Sequence, residues 1–174
     1  MRTLPRLLLA TTLLLSACGF HLRGQYSMAP ELKVISLSVP KDATLLSQEL
    51  KRMLELSGVQ TGDGSYELVV THENVVQQSA IFNPQIQVQN VHVIYTLEYF
   101  LRSKDGRQRF DGSPIVEQND YQTSPNLITG ASSEADQLVA DMRRDAVQQL
   151  GHRLAAIKSS QLNGSTVPRS GPAH

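Results

Sequence analysis

From Val91 to Leu101 every second residue is apolar or aromatic: Val91, Val93, Tyr95, Leu97, Tyr99 and Leu101. Strict alternation of this length is the signature of a strand with one buried face, because successive side chains point to opposite sides of a pleated backbone. The run extends back to Ile86, but Ile86 and Val88 have the opposite parity. A phase change at Gln89-Asn90 therefore predicts a β-bulge or strong bend there. A long strand of this kind needs neighbours to pair with and a second layer to bury its apolar face.

Both are present. Val34 to Val39 alternates, with Ile35, Leu37 and Val39 on one side, and Pro40 ends it. Tyr66 to Gln78 is rich in Val, Tyr and Thr and stops before Asn83-Pro84. Asp105-Gly106 is a type I′ hairpin signal that pairs Ile86–Ser103 with a fourth strand, Arg107 to Tyr121. Gly112 and Pro114 interrupt that strand, and proline is confined to edges or bulges of a sheet. Leu46, Leu50, Met53, Leu54 and Ser57 recur at helical spacing, with Asp42 or Thr44 as cap and Gly58 as the C′ residue. Gly62-Asp63-Gly64 reads as a turn and Thr123 to Gly130 as a loop. A final helix follows, capped by Ser132 or Ser133. Its apolar stripe is Leu138, Val139, Met142, Ala146, Val147, Leu150, Leu154 and Ile157; Arg143, Arg144, Asp145 and Gln148 face outward.

The expected architecture is α+β: two helices packed on one face of a four-stranded, mostly antiparallel sheet. The uncovered face should be polar, as Gln87, Gln89, His92, Thr96 and Glu98 suggest.

The N-terminus carries an export signal. Arg2 and Arg6 precede the apolar run Leu7 to Leu15, and Leu15-Ser16-Ala17-Cys18 is a small-residue cleavage site ending in the only cysteine. The run is too short to span a bilayer core, which takes about 20 residues. Residues 1–17 therefore read as a lipoprotein signal peptide, 18–158 as one folded domain and 159–174 as a disordered tail rich in Ser, Gly, Pro and Asn. Cys18 is the expected lipidation site; a covalent lipid there is the only non-protein group expected, with no cofactor and no metal. Loss of Arg2 and Arg6 leaves 14 Lys and Arg against 16 Asp and Glu, no footprint for nucleic acid. With one cysteine, no internal disulfide can form.

No residue pattern points to catalysis. His21, His72, His92, His152 and His174 are scattered and lack metal-ligand spacing. There is no G-x-S-x-G elbow and no P-loop. Glu117 and Asp120 are two carboxylates of a kind any chain this size contains. Two contact candidates remain. Arg102, Lys104, Arg107 and Arg109 cluster at the hairpin, either to meet anionic headgroups or phosphorylated glycolipid, or as a solvated tip. Ile81-Phe82-Asn83-Pro84 puts two large apolar side chains at a strand break, either as a partner surface or folded back on the core.

Cys18-Gly19-Phe20-His21-Leu22-Arg23-Gly24 directly follows the cleavage site. This string, with the strand, helix, three-strand, helix order, resembles the LptE family of lipopolysaccharide-assembly lipoproteins. The resemblance implies a non-enzymatic protein of the Gram-negative outer membrane, lipid-anchored through Cys18. The implied partner is the large β-barrel LptD, which the family plugs, helps to assemble and joins in inserting lipopolysaccharide into the outer leaflet. It also implies binding of lipopolysaccharide. Gly19 stands where an inner-membrane retention signal would need aspartate. The family's basic sheet-end loops match Phe82-Asn83-Pro84 and Leu127 to Ala131 here, and both lack Lys and Arg. Phe82, Asn83, Arg102, Lys104 and Arg107 are thus the contact candidates. The alternatives are an auxiliary lipoprotein of another envelope transporter and a cell-wall or glycolipid-modifying enzyme for which no residue can be nominated.

Overall fold

The structure is a computed structural model that describes residues 27–80, 89–123 and 128–163. Residues 1–17, Cys18, the Cys18–Gly24 string, Phe82, Asn83 and Gln87 lie outside them. A 3-10 turn, Pro30–Leu32, leads into β1 (Val34–Ser38) and α1 (Thr44–Leu56). Four strands pairing in one sheet with β1 come next, after the two-residue β2 (Gln60–Thr61): β3 (Tyr66–Ala80), β4 (Gln89–Ser103), β5 (Arg109–Asp111) and β6 (Ile115–Thr123). The long α2 (Ile128–Ala155) and the short α3 (Ser159–Leu162) complete the chain.

The sheet runs β2-β1-β3-β4-β5, with β6 beside β4 on the same side as β5. β1 is parallel to β2 and β3; the pairs β3–β4, β4–β5 and β4–β6 are antiparallel. The α+β class stands, but among the described residues six strands replace four and three helices replace two. One added strand is β2, which lies along Val34 and Ile35. The other comes from splitting the expected fourth strand. Between the pairs Phe100↔Asp111 and Leu97↔Ile115, Gly112-Ser113-Pro114 faces only Glu98-Tyr99, three residues against two. Pro114 cannot donate to the ladder, so pairing stops there. A Cβ on Gly112 would sit 2.3 Å from the Tyr99 ring, which fills that space.

The helices cover the face that carries the alternating run. Val93, Tyr95, Leu97, Leu101, Leu68 and Ile35 from the sheet are buried with Leu46, Leu50 and Leu54 of α1 and Met142, Ala146, Leu150 and Leu154 of α2. α1 ends in a Schellman arrangement. Gly58, at φ +71°, donates to Glu55, and Val59 N–H donates to Leu54, each at 2.9 Å. Its start differs from the expectation: the N-cap is Ala43, without a side-chain bond, so neither Asp42 nor Thr44 caps it. α2 begins at Ile128, within the expected loop, so Ser132 and Ser133 lie inside the helix and do not cap it.

From Gln89 onward β4 pairs with β6 without a register shift, and Ile86 and Val88, which carry the expected phase change, lie outside the described residues. The described pairing has a shift in β3, between Val70 and His72, where Thr71 is the extra residue. Its hydroxyl donates to the Glu98 carbonyl at 3.2 Å. The bulge reverses the strand's parity, so Glu73, Val75 and Gln77 follow Tyr66, Leu68 and Val70 on the helix side. The tail expected from Ser159 begins instead with α3, whose Leu162 is buried in the core.

Candidate functional site

The hairpin after β4 is present, but not as a type I′ turn on Asp105-Gly106. Gly106 N–H donates to the Ser103 carbonyl at 3.0 Å, which puts Lys104 and Asp105 at the turn's centre. Gly106 follows at φ +72°, and the Gln108 carbonyl accepts from Ser103 N–H at 2.9 Å. This is the longer hairpin loop, closed by a glycine in the left-handed region.

Each basic side chain there already has an acidic partner. Arg102 donates from Nε and Nη2 to Glu67 at 2.7 and 2.6 Å. Lys104 pairs with Asp63, and Arg107 lies 3.6 Å from Asp105. Arg109 bonds Asp111 at 2.6 Å and lies 3.7 Å from the Phe100 ring centroid. The tip is self-neutralised. A hollow of about 650 Å³ beside it is lined by Glu31, Tyr66, Lys104, Asp105, Arg107 and Asn163, among others. The Tyr66 hydroxyl, held there between Gln108 and the Leu162 carbonyl, is pushed up by burial and then by the Asp105 and Glu31 charges. Bonds from the Ser103 hydroxyl and the Arg107 N–H hold Asp105 below its ordinary carboxylate value.

Phe82 and Asn83 lie outside the described residues. β3 ends at Ala80 and β4 begins at Gln89, and the fifteen residues of β4 carry the chain roughly 45 Å to Ser103, after which Lys104 and Arg107 follow.

Sequence reasoning missed a third cluster. Arg143, expected to face outward, is largely buried, and its Nε donates to Glu73 Oε1 at 2.6 Å. The Tyr95 hydroxyl donates to the same oxygen at 2.9 Å. Burial first, and then the Glu73 charge, push that hydroxyl far above its ordinary value, so it stays a donor. Nearby along the same face, Gln149 bonds Glu117 and the Tyr121 hydroxyl lies 3.4 Å from Gln77. The bulge at Thr71 creates this cluster by turning Glu73 toward α2. A bulge leaves no composition signal, so an outward Arg143 was the natural reading.

The uncovered sheet face is mixed rather than uniformly polar. His92 contacts Asp120 at 2.7 Å and His72 lies 3.4 Å from Glu98, but exposed Val76 and Val116 share that face with half-exposed Ile94. Among the described residues no three His, Cys, Asp or Glu side chains group as metal ligands, and no helix is long and apolar enough to cross a membrane.

Fold and surface together define a small α+β domain with one helix-covered sheet face and an ion-paired hairpin end. A family model described as LptE, lipopolysaccharide-assembly, matches residues 32–154, and the chain belongs to that family. It is similar to the LPS-assembly lipoprotein LptE of Yersinia enterocolitica, 28% identical across 97% of this chain and 86% of that one. It is 25% identical to the protein of the same name from Yersinia pestis, over 94% of this chain and 83% of that one. Among solved structures, lipoprotein B from Nitrosomonas europaea shares the fold at a TM-score of 0.66, with 19% identity over 83% of this chain and 96% of that chain. Rare lipoprotein B from Shewanella oneidensis does so at 0.62, with 21% identity over 75% and 97%. As a member of the LptE family, the chain is a non-enzymatic lipoprotein of lipopolysaccharide assembly.

Proposed function

We propose that this chain is the lipid-anchored accessory of a large LptD-type β-barrel in the outer membrane. It assists folding of the barrel, plugs it and joins it in inserting lipopolysaccharide into the outer leaflet, binding lipopolysaccharide itself. The observation that carries this reading is the family match over residues 32–154, nearly all of the folded domain. Physical chemistry supports it. Wide barrels have polar lumens. A domain whose outer helix face presents Arg144, Asp145 and Gln148, and whose hairpin cations are internally paired, fills such a space without a large apolar interface. A lipid on Cys18 raises the effective concentration of domain and barrel in the membrane plane, so modest direct affinity suffices.

Lipopolysaccharide is a phosphorylated glycolipid. Contact through Arg102, Lys104 or Arg107 requires phosphate to displace Glu67, Asp63 or Asp105, an exchange of one anion for another. Affinity purification from outer membranes in mild detergent is expected to recover a large β-barrel in about equal amount. Recovery of no barrel, or of an inner-membrane partner in its place, would overturn the proposal.

A further inference from the structure

β6 forms an outer edge of the sheet among the described residues. β6 pairs with β4 through nine consecutive partners, from Leu97↔Ile115 to Gln89↔Thr123, without a register shift. Among the described residues no strand pairs with its other side. The Asp120 N–H donates to Asn119 Oδ1 at 2.9 Å, so it is turned away from β4. Amide direction alternates along a strand, so the N–H groups of Val116, Gln118 and Gln122 also point off the sheet.

Such a row of amides and carbonyls is a template for another strand. Edges are commonly blunted by lysine, proline or a bulge. From Ile115 to Thr123 there is no Lys, Arg or Pro, and the register is continuous. Pro114 stands just before the strand, and Arg153 reaches only as far as the Ser113 carbonyl.

Charge selects the occupant. Glu117 and Asp120 are the only charged residues of β6. Two copies paired edge to edge would add like charges on both faces, Glu117 to Glu117 on the helix side and Asp120 to Asp120 on the other, with no lysine or arginine on either strand to offset them. Like charges across a strand pair are destabilising and opposite ones stabilising. Val116, 48% exposed, adds an apolar contact on the uncovered face.

We propose that the β6 edge receives an extended, Lys- or Arg-bearing segment of another polypeptide by strand addition. Taking that polypeptide to be the barrel rests on the function proposed above. The test uses the full lipidated chain co-expressed with the barrel, with a photo-crosslinking amino acid at Gln122 on β6 or at Gln48 on α1. The Gln122 probe is expected to mark a basic, extended segment of the barrel protein. Gln118→Pro removes an outward amide without touching the β4 ladder, and should cut that crosslink at least tenfold. Gln118→Lys keeps the backbone donor and should also weaken it several-fold, whereas Gln118→Glu should retain or raise it. Crosslinks to the barrel from Gln48 but not from Gln122 would overturn the edge assignment and leave the partner standing. Crosslinks to the barrel from neither position would count against both. A Gln122 crosslink to a second copy of this chain, or one indifferent to Gln118→Pro and Gln118→Lys, would overturn strand addition by a basic segment.

Discussion

The two halves of the helix-covered sheet are held in different ways. Beside α1, the buried groups are aliphatic: Ile35, Leu46, Leu50, Leu54, Leu68 and Leu101. Toward the far end of β3, under α2, Val93, Leu97, Ile115 and Met142 share the interior with the Glu73–Arg143–Tyr95 cluster. Apolar burial is non-directional and tolerates small shifts. A charged hydrogen bond between two largely buried groups tolerates few, because a displaced partner leaves an unsolvated charge. The aliphatic half therefore supplies stability, while the ionic half fixes where α2 sits along the sheet.

The largest expected effect breaks the aliphatic half. Leu54→Ala removes a fully buried side chain and should cost about 2–5 kcal/mol in denaturant unfolding. A cost below ~1 kcal/mol would mean that α1 repacks freely and that the halves do not differ as described. Next comes Arg143→Met, which strands the Glu73 carboxylate and should cost roughly 2–3 kcal/mol, somewhat below a fully buried case. The triple replacement Glu73→Leu, Tyr95→Phe and Arg143→Met leaves no buried polar group of the cluster unpaired and should recover most of that loss, because buried ionic groups add little net stability over apolar groups of similar size. Failure to recover would show that the cluster stabilises beyond its positional role. Gly112→Ala is third. Its new Cβ meets the Tyr99 ring, and the displaced ring should cost about 1–2 kcal/mol; an unchanged melting temperature would show that the ring swings aside.

The same division explains what could be read before any coordinates. Period-2 alternation from Val91 to Leu101 and the stripe Leu46, Leu50, Met53, Leu54 report burial directly, and those side chains are buried. The stripe Met142, Ala146, Val147, Leu150, Leu154 behaves likewise. What stayed hidden depends on one residue more or less in a strand. The extra Thr71 turns Glu73 inward, and Gly112-Ser113-Pro114 against two partners splits the last strand. Propensity at Thr71 gives no hint of either parity. The hairpin cations were visible as a cluster, but their partners Asp63 and Glu67 lie some 35 to 41 positions away, joined only by the β3–β4 register and the turn before it. The family string pointed to the right family from residues outside the described structure, and so says nothing about where contacts lie.

The smallest expected effect concerns how the chain's end is tied to its beginning. Glu31, in the 3-10 turn, accepts from Asn163 Nδ2 at 2.7 Å and from the Ser159 hydroxyl at 2.9 Å. Its own backbone amide first, and then these two side chains, hold its carboxyl below the ordinary value. A carboxyl lowered in the folded state stabilises that state when ionised. The contribution is therefore present above the ordinary carboxylate range, about pH 4.3, and disappears as pH falls through the lowered folded value. The contact lies at the surface, partly open to solvent, so acid should loosen α3 locally and leave the sheet folded. Amide exchange at Gln161 to Asn163 should accelerate relative to β4 between pH 6 and pH 3, after correction for intrinsic rates. Glu31→Gln should remove that difference, because an uncharged amide has no carboxylate to titrate. If α3 in Glu31→Gln still loosened with acid, its docking would depend on Leu162 and Tyr66, and the end of the chain would belong with the aliphatic half.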